Sequence, residues 1–136
     1  VHGDLYTGTG PGEAMRTLES TGTEKPITVR DIPREGFTIV TNRTTDPHGK
    51  IEKFLERFKV NKTIRMGSSM KLCLIASGKA DLYPRFGRTM EWDTAAPQAV
   101  LEAAGGTLRL FEGGGPLLYR KPGWANPPFI CEGRPA

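Results

Sequence analysis

No apolar run in this sequence approaches the ~18–20 residues that a membrane-spanning helix requires, and the first residues do not form a signal peptide. Cysteine is nearly absent: Cys73 and Cys131 make no metal motif and neither has a histidine nearby, so reduced thiols in a soluble, cytoplasmic protein are expected. No block of basic residues stands behind the net charge of +4 and the pI near 9.3, because Lys and Arg are scattered. A nucleic-acid polymer is therefore not the expected partner, and a basic cleft for a polyphosphorylated small molecule accounts for the charge. A P-loop is missing too. The cluster Gly8-Thr9-Gly10-Pro11-Gly12 lacks the Gly-Lys-Ser/Thr ending and no helical pattern follows it, so these read as turn glycines.

What remains is one domain's worth of chain, 136 residues with 37% hydrophobic content, in which 17 glycines and 11 prolines imply many loops. Residues 1–35 are rich in Gly, Thr and Pro. Short β-type runs such as Leu5-Tyr6-Thr7 and Ile27-Thr28-Val29 predict two or three strands there, joined by turns at Gly8–Gly12 and Ser20-Thr21-Gly22. From Gly36 strands and helices alternate. Phe37–Val40 reads as a strand, and Asp46-Pro47 as a helix start, with Ile51, Phe54, Leu55 and Phe58 on one face. Thr63–Met66 reads as a strand and an apolar helix from Ser69 ends at Gly78 in the C′ role. Ala80–Tyr83 is a strand, a helix covers Trp92–Ala104, and Leu108–Leu110 and Pro128–Ile130 close the sheet. This order predicts a layered α/β/α domain with a mixed sheet, preceded by a few β-strands.

Chemistry-bearing residues fall just past strand ends and at helix starts. Asp93 stands where a helix begins, beside N–H groups without partners, and reads either as a helix cap or as a carboxylate that holds a divalent metal next to a bound phosphate. Ser68 is either an N-cap or a hydroxyl facing a ligand. Lys71, on the same side of its apolar helix, needs a partner, for which a ligand phosphate is suited. Arg85 leaves its strand with a planar fork available to a phosphate or a base.

Trp92-Asp93-Thr94-Ala95-Ala96 followed by Glu102-Ala103-Ala104-Gly105-Gly106 resembles the second signature of the inositol-monophosphatase-like, magnesium-dependent phosphatases. Gly67-Ser68-Ser69-Met70-Lys71 and Leu82-Tyr83-Pro84-Arg85-Phe86-Gly87 are similar to the CysQ branch, the 3′(2′),5′-bisphosphate nucleotidases, and Asn126-Pro127-Pro128-Phe129 resembles the family's closing Asn-Pro-x-Phe strand. The likeness runs from about Gly36 to Ile130 and is most specific from Gly67 to Gly106.

The resemblance implies hydrolysis of adenosine 3′,5′-bisphosphate to AMP and phosphate in sulfur metabolism, with Mg2+ held in part by Asp93, the catalytic carboxylate. Ser68, Lys71 and Arg85 would contact the nucleotide. An inositol-phosphate phosphatase and a non-catalytic ligand-binding module are the alternatives. The family's acidic pair and Asp-Pro-x-Asp-Gly-Thr motif do not occur here, and the chain opens at Val1. The expectation is therefore that residues 1–35 are the terminal strands of a truncated N-terminal α+β domain and 36–136 the C-terminal α/β domain. Such a chain would be inactive alone. Its expected partners are the missing N-terminal domain, other copies of itself and, peripherally, the cytoplasmic face of the inner membrane. Two departures stand out. Asn42-Arg43-Thr44-Thr45 replaces the branch's Ser-Arg-Ser-His, and Pro97 replaces a glycine, which predicts a helix starting close to Asp93 or Thr94.

Overall fold

The computed structural model describes residues 3–43 and 48–134. The N-terminal zone forms three antiparallel strands, β1 (Leu5–Gly8), β2 (Ala14–Thr17) and β3 (Glu24–Pro26), in the order β1-β2-β3. The glycine cluster makes the first turn, with Gly12 at φ 78°, and the second falls at Glu19–Thr21. The third strand is not Ile27–Val29. That segment makes single bonds instead, Ile27 N–H to Ala14 O and Val29 N–H to Ala104 O, while the exposed Glu24-Lys25-Pro26 takes the ladder position. Backbone pairing decides here, since these side chains carry no burial signal.

The main sheet has five strands in the order β5-β4-β6-β10-β8: β4 (Phe37–Thr41), β5 (Val60–Arg65), β6 (Leu82–Arg85), β8 (Thr107–Leu110) and β10 (Phe129–Glu132). The first three are parallel to one another and β10 runs antiparallel between β6 and β8, so the sheet is mixed. Alternation sends neighbouring side chains to opposite faces. On one face Val40, Tyr83, Phe129 and Cys131 join α2 (Met70–Ala76) and α3 (Glu91–Ala103) in the larger core. On the other, Ile39 and Leu82 pack with Phe54 of α1 (Lys50–Leu55). Helices therefore cover both faces, as the strand–helix order predicts. The N-terminal strands lie against the outer side of α3, where a Cβ on Gly8 would sit 2.8 Å from Ala99 O and Val100 Cα.

Three further readings bear on where elements start. Asp46-Pro47 lies outside the described residues, and helix α1 runs from Lys50. The third strand of the main sheet is Leu82–Arg85 rather than Ala80–Tyr83, with Asp81 just before it tied to both neighbours: its N–H donates to Thr38 O at 2.9 Å and its carbonyl accepts from the Gly133 N–H at 3.0 Å. Its carboxylate accepts from Arg30 Nε (2.8 Å), Arg30 Nη2 (2.8 Å) and the Thr38 N–H (2.7 Å). Finally, α3 starts at Glu91, which leaves Pro97 well inside the helix instead of in its first turn. Contacts outside the helix fix that start: β7 (Thr89–Met90) pairs with β9 (Ala125–Asn126), and the Glu91 N–H donates to Trp124 O at 2.8 Å. These outweigh the one hydrogen bond that a proline omits. Strands β7 and β9, two residues each, give no pattern in the sequence.

Candidate functional site

Strands β5 and β6 lie on either side of β4, with α1 covering one face of the sheet and α2 the other, so the strand order reverses at β4. Open α/β sheets bind ligands at the carboxyl ends of their strands beside such a reversal. A cleft of about 370 Å³ occupies that place. Asn42 and Arg43 follow β4, Gly67 and Ser68 follow β5, Arg85 ends β6, and Asp93 and Thr94 come from the first turn of α3. Ser68, Lys71, Arg85 and Asp93, four residues picked out by three separate motifs, are thus brought to one cavity.

Ser68 is exposed and adopts φ 93°, a conformation unfavourable for any residue with a side chain. Its hydroxyl accepts from the Met70 N–H at 3.3 Å, so it serves the helix start while Ser69 holds the cap position. Lys71 is only 4% exposed. Its ammonium donates to Met66 O at 3.2 Å and lies 5.1 Å from the centre of the Tyr83 ring. Burial, and secondarily the neighbouring Arg85, pull the amine down from 10.5 to about 8. Arg85 donates through Nη2 to Arg88 O at 3.0 Å, and its Nε is buried without any hydrogen-bond partner. A buried N–H left unpaired is costly, which makes the cleft receptive to an acceptor.

Asp93 stands at the third position of α3, where the sequence allowed a cap or a metal ligand. Its Oδ2 accepts from the Met90 N–H at 2.8 Å, so it does cap the helix, and the side chain still faces the cleft. The first turn is held rigidly. Glu91, 6% exposed, accepts from Arg120 N, Lys121 N and Lys121 Nζ at 3.0, 2.9 and 2.7 Å, and the Lys121 ammonium keeps its carboxyl below the ordinary range. Asn126 Nδ2 donates to Met90 O and to Thr94 Oγ1 at 2.9 and 3.1 Å.

For a metal, the donor set is sparse. Among the described residues no group of three or more His, Cys, Asp or Glu could hold an ion, and the cleft lining carries one carboxylate, Asp93. A hard cation needs several oxygen ligands, and this set alone does not supply them. No described helix is long and apolar enough to cross a membrane. Of the other lining residues, Tyr83, Arg88 and Thr89 escaped the sequence reading. The spacing Arg85-Phe86-Gly87-Arg88, a second arginine one short turn beyond the first, is the signal that could have found Arg88.

Comparison with known proteins gives the family. The model of the inositol monophosphatase family matches residues 2–132. The 3′(2′),5′-bisphosphate nucleotidase CysQ of Escherichia coli (strain K12) is 39% identical over 118 residues, which are 86% of this chain and 46% of that protein. An uncharacterized protein in the pss 5′ region of Rhizobium leguminosarum bv. phaseoli is 54% identical over 86 residues, 59% of this chain and 90% of its own. The crystal structure of CysQ from Bacteroides thetaiotaomicron superimposes with a TM-score of 0.77 at 35% identity, covering 98% of this chain and 55% of that one. The chain therefore spans about half the length of these CysQ relatives. With the family model matched over nearly its whole length, the chain belongs to the inositol monophosphatase family.

Proposed function

We propose that this chain is the ligand-gripping part of a magnesium-dependent phosphatase that converts adenosine 3′,5′-bisphosphate to AMP and phosphate in sulfur assimilation. The observation that carries the reading is the convergence of Ser68, Lys71, Arg85 and Asp93 on one cleft at the strand ends. The name and identity of the CysQ relatives support the nucleotide substrate. Residues 1–35 are then the last strands of an N-terminal α+β domain and residues 36–136 the C-terminal domain. That N-terminal domain supplies the remaining acidic ligands, so this chain alone does not turn over substrate. Its setting is cytoplasmic, in keeping with the free, buried thiols of Cys73 and Cys131.

Hydrolysis joins a water oxygen to phosphorus and breaks the bond to the ribose oxygen, which leaves with a proton. Magnesium, when bound, neutralises phosphate charge and acidifies the attacking water. Asp93 would be one of its ligands. The chain's own cations do the binding: Lys71 and Arg85 grip anionic parts of the nucleotide through charge-assisted bonds, and Ser68 offers a hydroxyl at the rim. An inositol phosphate is the second reading, favoured by Asn42-Arg43 at the cleft edge in place of the nucleotidase branch's pattern. Calorimetric titration of the chain separates the two. Adenosine 3′,5′-bisphosphate should bind more tightly than inositol 1-phosphate, and Lys71→Ala or Arg85→Ala should weaken the nucleotide roughly ten- to a hundredfold. Equal affinity for the two ligands, unmoved by either substitution, would sink the nucleotidase reading.

A further inference from the structure

Arg88 lies outside the set of residues matched to the nucleotidases, yet it lines the same cleft. We propose that Arg88 is a further ligand-binding residue, gripping the second anionic group of a bis-phosphorylated ligand without help from a metal ion. The inference rests on the nucleotide reading above.

Its guanidinium is exposed and has no hydrogen-bonding, ionic or ring partner among the described residues. Its backbone, by contrast, is pinned from both sides. Arg85 Nη2 donates to the Arg88 carbonyl at 3.0 Å. The next residue, Thr89, begins β7 and pairs with Asn126, whose Nδ2 donates to Thr89 Oγ1 at 3.2 Å. A free cationic head on a fixed backbone binds an anion at a lower ordering cost than the same head on a loose loop. The Arg85 head folds back across the turn, 3.4 Å from where a Cβ on Gly87 would stand, and Arg88 follows one residue later.

The charge balance of the cleft points to the ligand class. Arg43, Lys71, Arg85 and Arg88 line it against the single carboxylate of Asp93. A phosphomonoester carries about −1.5 to −2 near neutral pH, so one such group leaves this excess partly uncompensated and two bring it close to balance. Arg85 Nε, buried and unpaired, is independent support for an acceptor that arrives with the ligand.

Calorimetric titration of the chain in a metal chelator tests the proposal, using adenosine 3′,5′-bisphosphate, adenosine 3′-monophosphate and inositol 1-phosphate as probes. Arg88→Ala, Arg88→Lys and Arg85→Ala are compared, with thermal melts to establish that each variant folds. The bisphosphate should bind in chelator. Arg88→Ala should weaken it about tenfold while adenosine 3′-monophosphate, which lacks the unreacting 5′-phosphate, changes less than about twofold, and Arg88→Lys should recover part of the loss because the charge remains. Binding that requires added metal, an Arg88→Ala affinity equal to the parent's, or an equal loss for bisphosphate and adenosine 3′-monophosphate would each overturn the proposal. A loss in Arg85→Ala with none in Arg88→Ala overturns this inference alone. A parent chain that prefers inositol 1-phosphate overturns the nucleotide reading, and this inference with it.

Discussion

Replacing Lys71 by methionine should make the protein more stable and worse at its task, with a pH dependence that identifies the cause. Folding lowers the amine from 10.5 to about 8, chiefly by burial and then through Arg85. At ~1.4 kcal/mol for each tenfold change, holding the charge inside the fold costs about 3 kcal/mol at pH 7. The open cleft mouth and the bond to Met66 O trim this to about 2 kcal/mol. Methionine keeps the apolar stem in the larger core and removes the charge. Between pH 8 and pH 10.5 the unfolded chain still binds a proton that the folded chain has released, so parent stability rises with pH in that window. Below it both states are protonated and this contribution is flat. Lys71→Met should therefore exceed the parent by about 2 kcal/mol at pH 7 and lose that advantage by about pH 10.5. Urea unfolding at several pH values measures the difference, in which the titration of Cys73 and of the other groups common to both proteins cancels. Ligand binding should move the opposite way, weakening in the parent as pH rises through about 8. A variant no more stable than the parent at pH 7, or a difference that stays level up to pH 10, would refute the reasoning.

Two further substitutions probe what holds the frame. Arg30→Ala strands the Asp81 carboxylate, 1% exposed, with the Thr38 N–H as its remaining side-chain partner, and should cost about 3 kcal/mol in urea unfolding; an unchanged midpoint would remove this pair from the account. Gly8→Ala drives a methyl to within 2.8 Å of the α3 backbone, which should cost about 1–3 kcal/mol and speed amide exchange across β1 and β2. Exchange unaltered in those strands would mean that they do not depend on α3.

Most of the main sheet was legible because its strands alternate between two buried faces. Ile39 and Val40, or Leu82 and Tyr83, are adjacent residues that both need cover, which is what a strand between two helical layers demands. Helix α2 was legible from its apolar run and from Gly78, which takes φ 71° just past its end. The exposed strand β3 and the two-residue strands β7 and β9 were not, since their identity lies in backbone pairing with distant partners. At the site, Ser68, Lys71, Arg85 and Asp93 could be named because each belongs to a recognisable local motif. Arg88 was passed over: the spacing Arg85-Phe86-Gly87-Arg88 is its one sequence signal, and what sets it apart, an unpartnered head at the cleft, is a property of three-dimensional arrangement.

The start of α3 shows why placement of the site needed the fold. Met90 is a poor N-cap by its side chain, and the helix contains Pro97, so local propensity argues for a later start. The loop after β8 decides otherwise. Arg120 and Trp124 both sit at positive φ, 66° and 60°, which costs on the order of 1 kcal/mol or more at each non-glycine residue. What this strain secures is visible in the bonds: Arg120 and Lys121 close on the Glu91 carboxylate, and Trp124 O receives the Glu91 N–H. A carboxylate buried at the first turn of a helix also meets the positive end of the helix dipole, so Glu91 is favoured there twice over. Two residues on, Asp93 takes its position from this anchoring, with one oxygen on Met90 N–H and its side chain at the cleft. The Lys71 charge inside the cleft opposes folding, as its lowered amine shows, whereas the Glu91–Lys121 pair at the start of α3 and the Arg30–Asp81 pair at the opposite end of the sheet are bonded and support the fold. Stability is thus placed outside the cleft, and the cleft is left with cations that, on the proposed reading, a ligand would partner.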